Sequence, residues 1–326
     1  MAFSSLKIWC NAYIPNELLA ELKRRLSPHQ LIQSSDSQIS NLASVGTNPE
    51  ARGADVVYGQ PHPEDVIHST SLKWVHLTTA GYTRYDTDAM RKALRSRGAV
   101  MTNSSSMFAD PCAEHALAFM LCAARCLAPM IVNDATKHEW PYLETRSEAR
   151  LLRGQSALLV GFGAIARRMV ELLSPFQMNL TAVRRTVQGD EPVPTIAVSR
   201  IEEALGDVDH VVNILPAADH TKQFFNATRF AKMRQGTTFY NIGRGDTVDQ
   251  DALCDALESG HIRGAYLDVT TPEPLPPEHR LWSARNCWIT PHTAGGYADE
   301  VRANIEHFVE NFQRFVREEE LRDRIV

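Results

Sequence analysis

Three polar residues in the C-terminal half of the chain each stand at or just beyond an apolar run: Arg244 in NIGRGD, Glu273 in TPEPLPP and His292 in WITPHTAGG. The guanidinium of Arg244 keeps its charge and offers a planar fork of donors, which suits it to anchor an anion and polarise a neighbouring oxygen. Histidine titrates near neutrality, so His292 is a candidate proton donor. Upstream, ALLVGFGAIA at 157–166 sets Gly161 and Gly163 in a turn after an apolar stretch. Such a turn lets a dinucleotide pyrophosphate approach backbone N–H groups at a helix N-terminus. By itself it also suits an ordinary strand-to-helix connection. Together with the three polar residues it reads as a nicotinamide site facing an anion anchor and a proton donor.

These residues need a scaffold that gathers them. Apolar strand-like stretches occur at 157–161, 178–183, 209–215, 237–242, 262–269 and 286–292, with helix-like segments between most of them. Short strands that are apolar on both faces and joined by helices predict a parallel sheet covered on both sides, with ligands beyond the carboxyl ends of the strands. Gly243-Arg244-Gly245, Pro272-Glu273 and His292-Thr293 all fall just past those ends. The six strands predict a Rossmann-type, doubly wound α/β domain over 105–296. Residues 1–104 read as a second, smaller flavodoxin-like α/β domain, with strands at 6–10, 54–60, 72–81 and 99–103 and a helix that aligns Leu18, Leu19, Leu22 and Leu26. Near the other end, Val301, Ile305, Phe308, Val309, Phe312, Phe315 and Val316 form the stripe of a final helix.

Composition narrows the function classes. A chain of 326 residues, 44% hydrophobic, suits two domains with substantial cores. A net charge of −5 gives no footing for nucleic acid or an anionic membrane. The six cysteines, at 10, 112, 122, 126, 254 and 287, form no CxxC pair, which predicts reduced thiols in a cytoplasmic protein. Cys122 and Cys126 read as core rather than as metal ligands, and no metal is expected. The first fifteen residues have too short an apolar core for a signal peptide. The stretch HALAFMLCAARCLAPMIV is interrupted by Arg125 and Pro129, so one buried helix over Ala113–Met130 is expected instead of a membrane span.

A long, ordered set of motifs resembles one family, the D-isomer-specific 2-hydroxyacid dehydrogenases, and within it the glyoxylate and hydroxypyruvate reductases and the phosphoglycerate dehydrogenases. The motifs are CAEHALAFML (112–121), VGFGAIA (160–166), NILPAADHT (213–221), FYNIGRGDTVDQDALCDALESGHIRGAYLDVTTPEPLP (239–276) and NCWITPHTAGGY (286–297). The likeness covers 105–297 and is loose before that. It implies an NAD(P)H-dependent enzyme reducing a small 2-oxo acid, such as glyoxylate or hydroxypyruvate, to the D-2-hydroxy acid. Arg244 would hold the substrate carboxylate and carbonyl, His292 would protonate the carbonyl oxygen, and Glu273 would orient the imidazole and favour its charged form. Cofactor contacts would come from Gly161, Phe162, Gly163, Ala164, Ile165, Ala166, Leu215, Pro216, Thr221, Ile242, Gly243, Asp268, His292, Ala294 and Gly295.

The same resemblance implies that the substrate carboxylate meets backbone N–H groups of Ala80, Gly81 and Tyr82, with Tyr82 limiting pocket size; a tight strand-ending turn is the other reading of that loop. Where the family often has an aspartate two residues after this glycine, the chain has Thr83. Glu114 and His115 read as scaffold. The final helix would return to the N-terminal domain, making 1–104 plus 297–326 one discontinuous substrate-binding domain, with crossings near 104–110 and 293–297 and Gly295-Gly296 as a hinge. The apolar helix and the following HEWPYLETRSEAR arm would embrace a second subunit through Trp140, Pro141 and Tyr142, giving a homodimer.

Cofactor choice follows from the end of the second strand of the 105–296 domain. An NAD-binding turn normally has an acidic residue there, on the ribose 2′-OH. Here NLTAV runs into Arg184-Arg185-Thr186. Two cations and a hydroxyl predict a preference for NADPH, with NADH still accepted; one arginine stacked on adenine and the other solvated would give dual specificity. The alternative functional class is an NAD(P)-sensing binding protein resembling the corepressor branch of the family, although long extensions for partner recruitment are absent. A formate dehydrogenase reading is disfavoured, since that branch resembles a His-Gln pairing and this chain has Glu273.

Overall fold

The computed structural model describes residues 5–38 and 46–326. In chain order the elements are β1 (Lys7–Ala12), α1 (Asn16–Leu26), β2 (Gln30–Gln38), α2 (Pro49–Arg52), β3 (Val56–Gly59), α3 (Pro63–His68), β4 (Trp74–Leu77), α4 (Asp88–Arg97), β5 (Val100–Thr102), α5 (Ala109–Ala124), α6 (Leu127–Thr136) and α7 (Tyr142–Glu148). There follow β6 (Ser156–Val160), α8 (Ala164–Leu173), β7 (Asn179–Arg184), β8 (Thr195–Ala197), α9 (Ile201–Ala204), β9 (His210–Asn213), α10 (Ala227–Lys232), β10 (Thr237–Asn241), α11 (Gln250–Glu258), β11 (Ile262–Leu267), β12 (Cys287–Ile289) and α12 (Glu300–Val316). The chain divides into two compact units, Met1–Phe108 with Tyr297–Val326, and Ala109–Gly296.

The smaller unit is a five-stranded parallel sheet in the order β2-β1-β3-β4-β5, the flavodoxin-like arrangement. β3 and β4 are buried along their whole length, as befits inner strands. The polar edge strand β2, QLIQSSDSQ, has no apolar run to announce it; it exists because its backbone pairs with β1 from Lys7↔Gln30 to Ala12↔Gln38. α12 buries Ile305, Phe308, Val309 and Phe312 in this unit's core. Phe308 stacks on Tyr58 at 4.1 Å and on Trp74 at 5.4 Å, contacts that add about 0.5–1.5 kcal/mol each beyond area burial.

The larger unit holds a seven-stranded parallel sheet, β12-β11-β10-β9-β6-β7-β8. Six strands are expected from the sequence; the seventh, β8, is a three-residue edge strand within EPVPTIAV, too short to make a pattern. From β6 the chain winds outward to β8, then returns to β9 on the other side and winds outward to β12. The topological switch therefore lies between β6 and β9, where sheets of this kind open a ligand crevice beyond the carboxyl ends.

The expected single helix over Ala113–Met130 is in fact two. α5 stops at Ala124, Cys126 takes a left-handed φ of 56°, and α6 leaves at 72° to α5. Proline explains the break: Pro129 is tolerated in the first turn of α6, but inside a continuous helix its ring would meet the carbonyl four residues back. α5 buries Cys112, Ala113, Ala116, Phe119, Met120 and Ala124, whereas α6 buries nothing and leaves Ile131 66% exposed. No single helix among the described residues is long and apolar enough to cross a membrane.

Candidate active site

The glycines explain how the carboxyl edge of the seven-stranded sheet closes up. A Cβ on Gly243 would lie 2.6 Å from the Leu215 carbonyl oxygen, and one on Gly245 2.0 Å from that of Thr270. Arg244 is thus held between backbones that approach from the ends of β9 and β11. Gly161 has φ +101°, and its Cβ would meet the Ile214 carbonyl at 2.9 Å, so the close packing of β6 on the β9 end requires glycine there. Gly163 differs: nothing lies within 4 Å of its Cβ position. It precedes α8, whose first turn receives no side-chain cap, so amide groups of a ten-residue helix face open space. Phe162 and Ala166 are buried and shape this turn from beneath, leaving its backbone and Ala164 and Ile165 nearer the surface.

Below Arg244 lies a buried polar network that the sequence reading does not single out. Asn213 Nδ2 donates to Asn241 Oδ1 at 3.0 Å and to Thr247 Oγ1 at 2.6 Å. Asn241 Nδ2 and Thr247 Oγ1 in turn donate to the Arg244 carbonyl at 3.1 and 2.6 Å. The available signal was that both asparagines close buried apolar strands, in HVVN and TTFYN, where a polar side chain needs partners. The Arg244 guanidinium bonds the Gly243 carbonyl at 2.6 Å and has no carboxylate partner within ion-pair distance among the described residues.

His292 follows β12 with φ 54°. Its Nδ1 lies 2.7 Å from Glu273 Oε2, and Glu273 Oε1 accepts from the Thr270 N–H at 3.0 Å. Both side chains remain about a quarter to a third open to solvent, at 26% and 30%. With Nδ1 turned to the carboxylate, Nε2 is the nitrogen left for a ligand. Partial burial alone would raise the Glu273 pKa, but the bonds from His292 and Thr270 and the nearby charges of His292 and Arg244 outweigh it and hold the carboxyl below its ordinary range. Arg244 is also felt by Cys112, whose thiol is pushed up to about 12 by burial, with Asp268 adding to the rise and Arg244 opposing it.

Several other sequence candidates are engaged within the strand-end loops. Asp268 is buried with both oxygens engaged: Oδ1 accepts from Thr290 Oγ1 at 2.6 Å and Thr293 N at 2.9 Å, and Oδ2 from Ala294 N at 3.0 Å. It organises the His292 turn, and Ala294 is buried within that turn. Thr221 is buried too, its hydroxyl donating to the Pro216 carbonyl at 2.7 Å and accepting from Ala218 N at 2.9 Å, so it shapes the loop that carries exposed Pro216. Leu215 and Gly243 meet where the β9 and β10 ends pack, and Ile242 is buried.

The end of β7 needs correction. The sequence reading finds no acidic residue there and two free arginines; the structure brings Glu191 back onto Arg184 at 2.7 Å, with 3% of the Glu191 side chain exposed. Hydrogen bonds from Gln188 N–H, Arg184 and Gly189 N–H outweigh burial and hold that carboxyl at about 2. Arg184 is therefore neutralised within its own loop. Arg185 and Thr186 are exposed, and Arg185 has no ion-pair partner among the described residues.

In the smaller unit, Asn103 Nδ2 donates to the Ala80 carbonyl and Thr79 Oγ1 to the Gly81 carbonyl, each at 2.7 Å. With those carbonyls fixed, the amides of Ala80, Gly81 and Tyr82 donate to no protein acceptor among the described residues. No cluster of three or more metal-ligating side chains occurs among the described residues. A cavity of about 600 Å³ lies on the amino edge of β10–β12, against Cys126, Met130, Arg150, Arg263, Tyr266 and Trp288, away from the trio at the carboxyl edge.

Residues 117–294 match the family described as D-isomer specific 2-hydroxyacid dehydrogenase, NAD binding domain. An uncharacterized protein in the proB 3′ region of Corynebacterium melassecola is 35% identical over 233 residues, 69% of this chain and 72% of that one. The glyoxylate reductase/hydroxypyruvate reductase of Mus musculus is 32% identical over 206 residues, 61% of each chain. A D-isomer specific 2-hydroxyacid dehydrogenase from Xanthobacter autotrophicus Py2, solved in complex with NADPH and MES, shares the fold with a TM-score of 0.80 at 23% identity, over 99% of this chain and 98% of that one.

Proposed function

Since this chain belongs to the D-isomer specific 2-hydroxyacid dehydrogenase family, we propose that it reduces a small 2-oxo acid, of the glyoxylate or hydroxypyruvate kind, to the D-2-hydroxy acid. The observation that carries this reading is the His292–Glu273 contact at 2.7 Å near Arg244, which has no carboxylate partner among the described residues. The larger unit is the dinucleotide-binding domain and the smaller one the substrate-binding domain. The uncapped start of α8 and the open space at Gly163 suit a pyrophosphate. A bound dihydronicotinamide supplies the hydride. Arg244 holds the substrate carboxylate and polarises the carbonyl, and its charge offsets the negative charge that develops on oxygen. His292 delivers the proton from Nε2 to that oxygen, while Glu273 fixes the ring and supports the imidazolium.

Cofactor preference is for NADPH, and Arg185 with Thr186 carries it; Arg184 acts as the loop's internal tie through Glu191. The Xanthobacter relative was solved with NADPH. Arg185→Asp should move the NADPH/NADH ratio of kcat/KM toward NADH by about tenfold, the effect of one lost charge-assisted bond. A wild type that already favours NADH overturns the assignment.

The chain also acts as a homodimer. Trp140, Leu143 and Ile131 are 91%, 72% and 66% exposed on the α6–α7 arm, which lines the amino-edge cavity. A monomer mass by light scattering across micromolar concentrations would rule this out.

The test of the activity is steady-state turnover of glyoxylate, hydroxypyruvate, pyruvate and bulkier 2-oxo acids with each cofactor. Dinucleotide binding without turnover of any of them would favour the cofactor-sensing binding protein instead.

A further inference from the structure

Thr290 lies between β12 and His292, and its hydroxyl carries a single proton. That oxygen is 2.6 Å from Asp268 Oδ1 and 3.1 Å from His115 Nε2. An ionised carboxylate can only accept, so the Thr290 proton points to Asp268 and the remaining contact requires a proton on His115 Nε2. The result is a directed chain, His115 Nε2–H to Thr290 Oγ1–H to Asp268 Oδ1. Direct contact between the histidine and the carboxylate is too long for a hydrogen bond, at 3.8 Å, so the threonine is the link.

Beyond Asp268 the chain reaches the backbone on both sides of His292. The Asp268 carboxylate accepts from Thr293 N and Ala294 N, and its backbone carbonyl accepts from His292 N at 2.8 Å. His292 sits at φ 54°, a left-handed conformation that costs a non-glycine residue energy and persists only where neighbours hold it. His115 is itself held: it projects from α5, packs edge-on against Phe119 at 4.4 Å and is 23% exposed. Burial lowers its pKa, with Asp268 opposing, and the net fall favours a neutral ring.

We propose that His115 and Thr290 are positioning residues for proton delivery, holding the His292 turn in its productive geometry through Asp268. This rests on the reading of His292 as the proton donor. It gives the helix start CAEHA and the threonine of WITPH a role in the chemistry without contact with substrate.

Two readouts separate this role from simple packing. In 15N-histidine NMR of the wild-type chain at neutral pH, His115 should be a neutral ring protonated on Nε2. Thr290→Val, which keeps the shape but removes the hydroxyl, should shift the His292 ring resonances. In 2-oxo acid reduction, Thr290→Val and His115→Phe should lower kcat by about 10- to 100-fold, the equivalent of a lost bond in a charged network, with KM and NADPH affinity nearly unchanged. Thr290→Ser and His115→Gln retain the hydroxyl and an N–H donor and should recover most of the rate; they also guard against misfolding of the harsher variants. A His115 ring protonated on Nδ1, a Thr290→Val variant with wild-type kcat, or equal losses in the conservative and harsh variants would overturn the proposal. If the wild type reduces no 2-oxo acid, the functional reading fails, and the NMR arms still decide whether the chain exists and holds the turn.

Discussion

In the larger unit His292 Nδ1 lies 2.7 Å from Glu273 Oε2 with 26% and 30% of the two side chains exposed; in the smaller unit His307 Nε2 lies 3.3 Å from Asp323 Oδ2 with 8% and 14% exposed. The residue types are nearly the same, yet their surroundings differ. Asp323 also accepts from Ser106 N at 2.9 Å and Ser106 Oγ at 2.6 Å, and His307 Nε2 is 3.4 Å from the Asn103 carbonyl. This second pair ties the C-terminal segment to the 103–106 stretch, and the Nε2 of its histidine faces protein partners. The first pair instead turns Nδ1 to its carboxylate, and its Nε2 has no protein partner among the described residues. A histidine–carboxylate contact is therefore not diagnostic by itself. What distinguishes chemistry from fastening is the nitrogen left unused, the exposure, and the presence of a cation without a carboxylate partner.

The sharpest way to break this comparison is to remove each histidine. His292→Ala should lower kcat for 2-oxo acid reduction by about 10²–10⁴, with the fold intact by circular dichroism. Arg244→Ala should both raise KM and lower kcat, because it meets bound substrate and the charge of the transition state alike. His307→Ala should leave kcat per folded molecule close to wild type and lower the melting temperature. Equal loss of kcat in the His292 and His307 variants would erase the distinction.

A finer probe is charge without shape. Glu273→Gln keeps a hydrogen-bonding partner for His292 but removes the carboxylate that accepts from its Nδ1 at 2.7 Å, so kcat for reduction should fall by about tenfold with KM nearly unchanged. A wild-type kcat would count against the pairing as a functional one.

The smallest effect concerns stability. Asp323 is held at about 2: burial opposes this, and the bonds from His307 and from the Ser106 hydroxyl and N–H outweigh it. A carboxyl whose folded pKa is depressed stabilises the fold above its unfolded pKa and loses that contribution as pH falls through the folded value. Asp323→Asn should therefore cost on the order of 1–2 kcal/mol near neutral pH, discounted for partial exposure, and the difference from wild type should vanish between about pH 4 and pH 2. Denaturant titrations at several pH values check this, and a cost that persists at pH 2 would point to packing instead.

Much of this contrast was legible in the sequence on one side only. Arg244, Glu273 and His292 lie just past apolar runs that pair as β10, β11 and β12, and a residue following a buried parallel strand is placed at the carboxyl edge by local pattern alone. The α12 stripe could be read for the same reason. His307, whose polar side chain lies within that helix, gave no comparable signal, and its partner Asp323 lies in the chain's last residues. The edge strands β2 and β8 escaped notice because a backbone ladder needs no particular side chains. The helix break before Pro129 had a readable cause, yet the apolar composition on both sides of it suggested continuity.

By itself, then, the sequence determined the parallel α/β architecture, the glycine-rich turn before α8 and the residue types at the strand ends, because each depends on periodicity or steric need within a few neighbouring residues. Only the tertiary structure decided which groups touch. Glu191 folds back to neutralise Arg184, leaving Arg185 as the exposed cation of that pair. His115 meets Thr290 across 175 positions, and Asn213 lies level with both Val160 and Asn241 in the ladder. Those pairings arise from strand register and helix packing, which bring distant segments within hydrogen-bond range and are encoded in no short stretch of the chain.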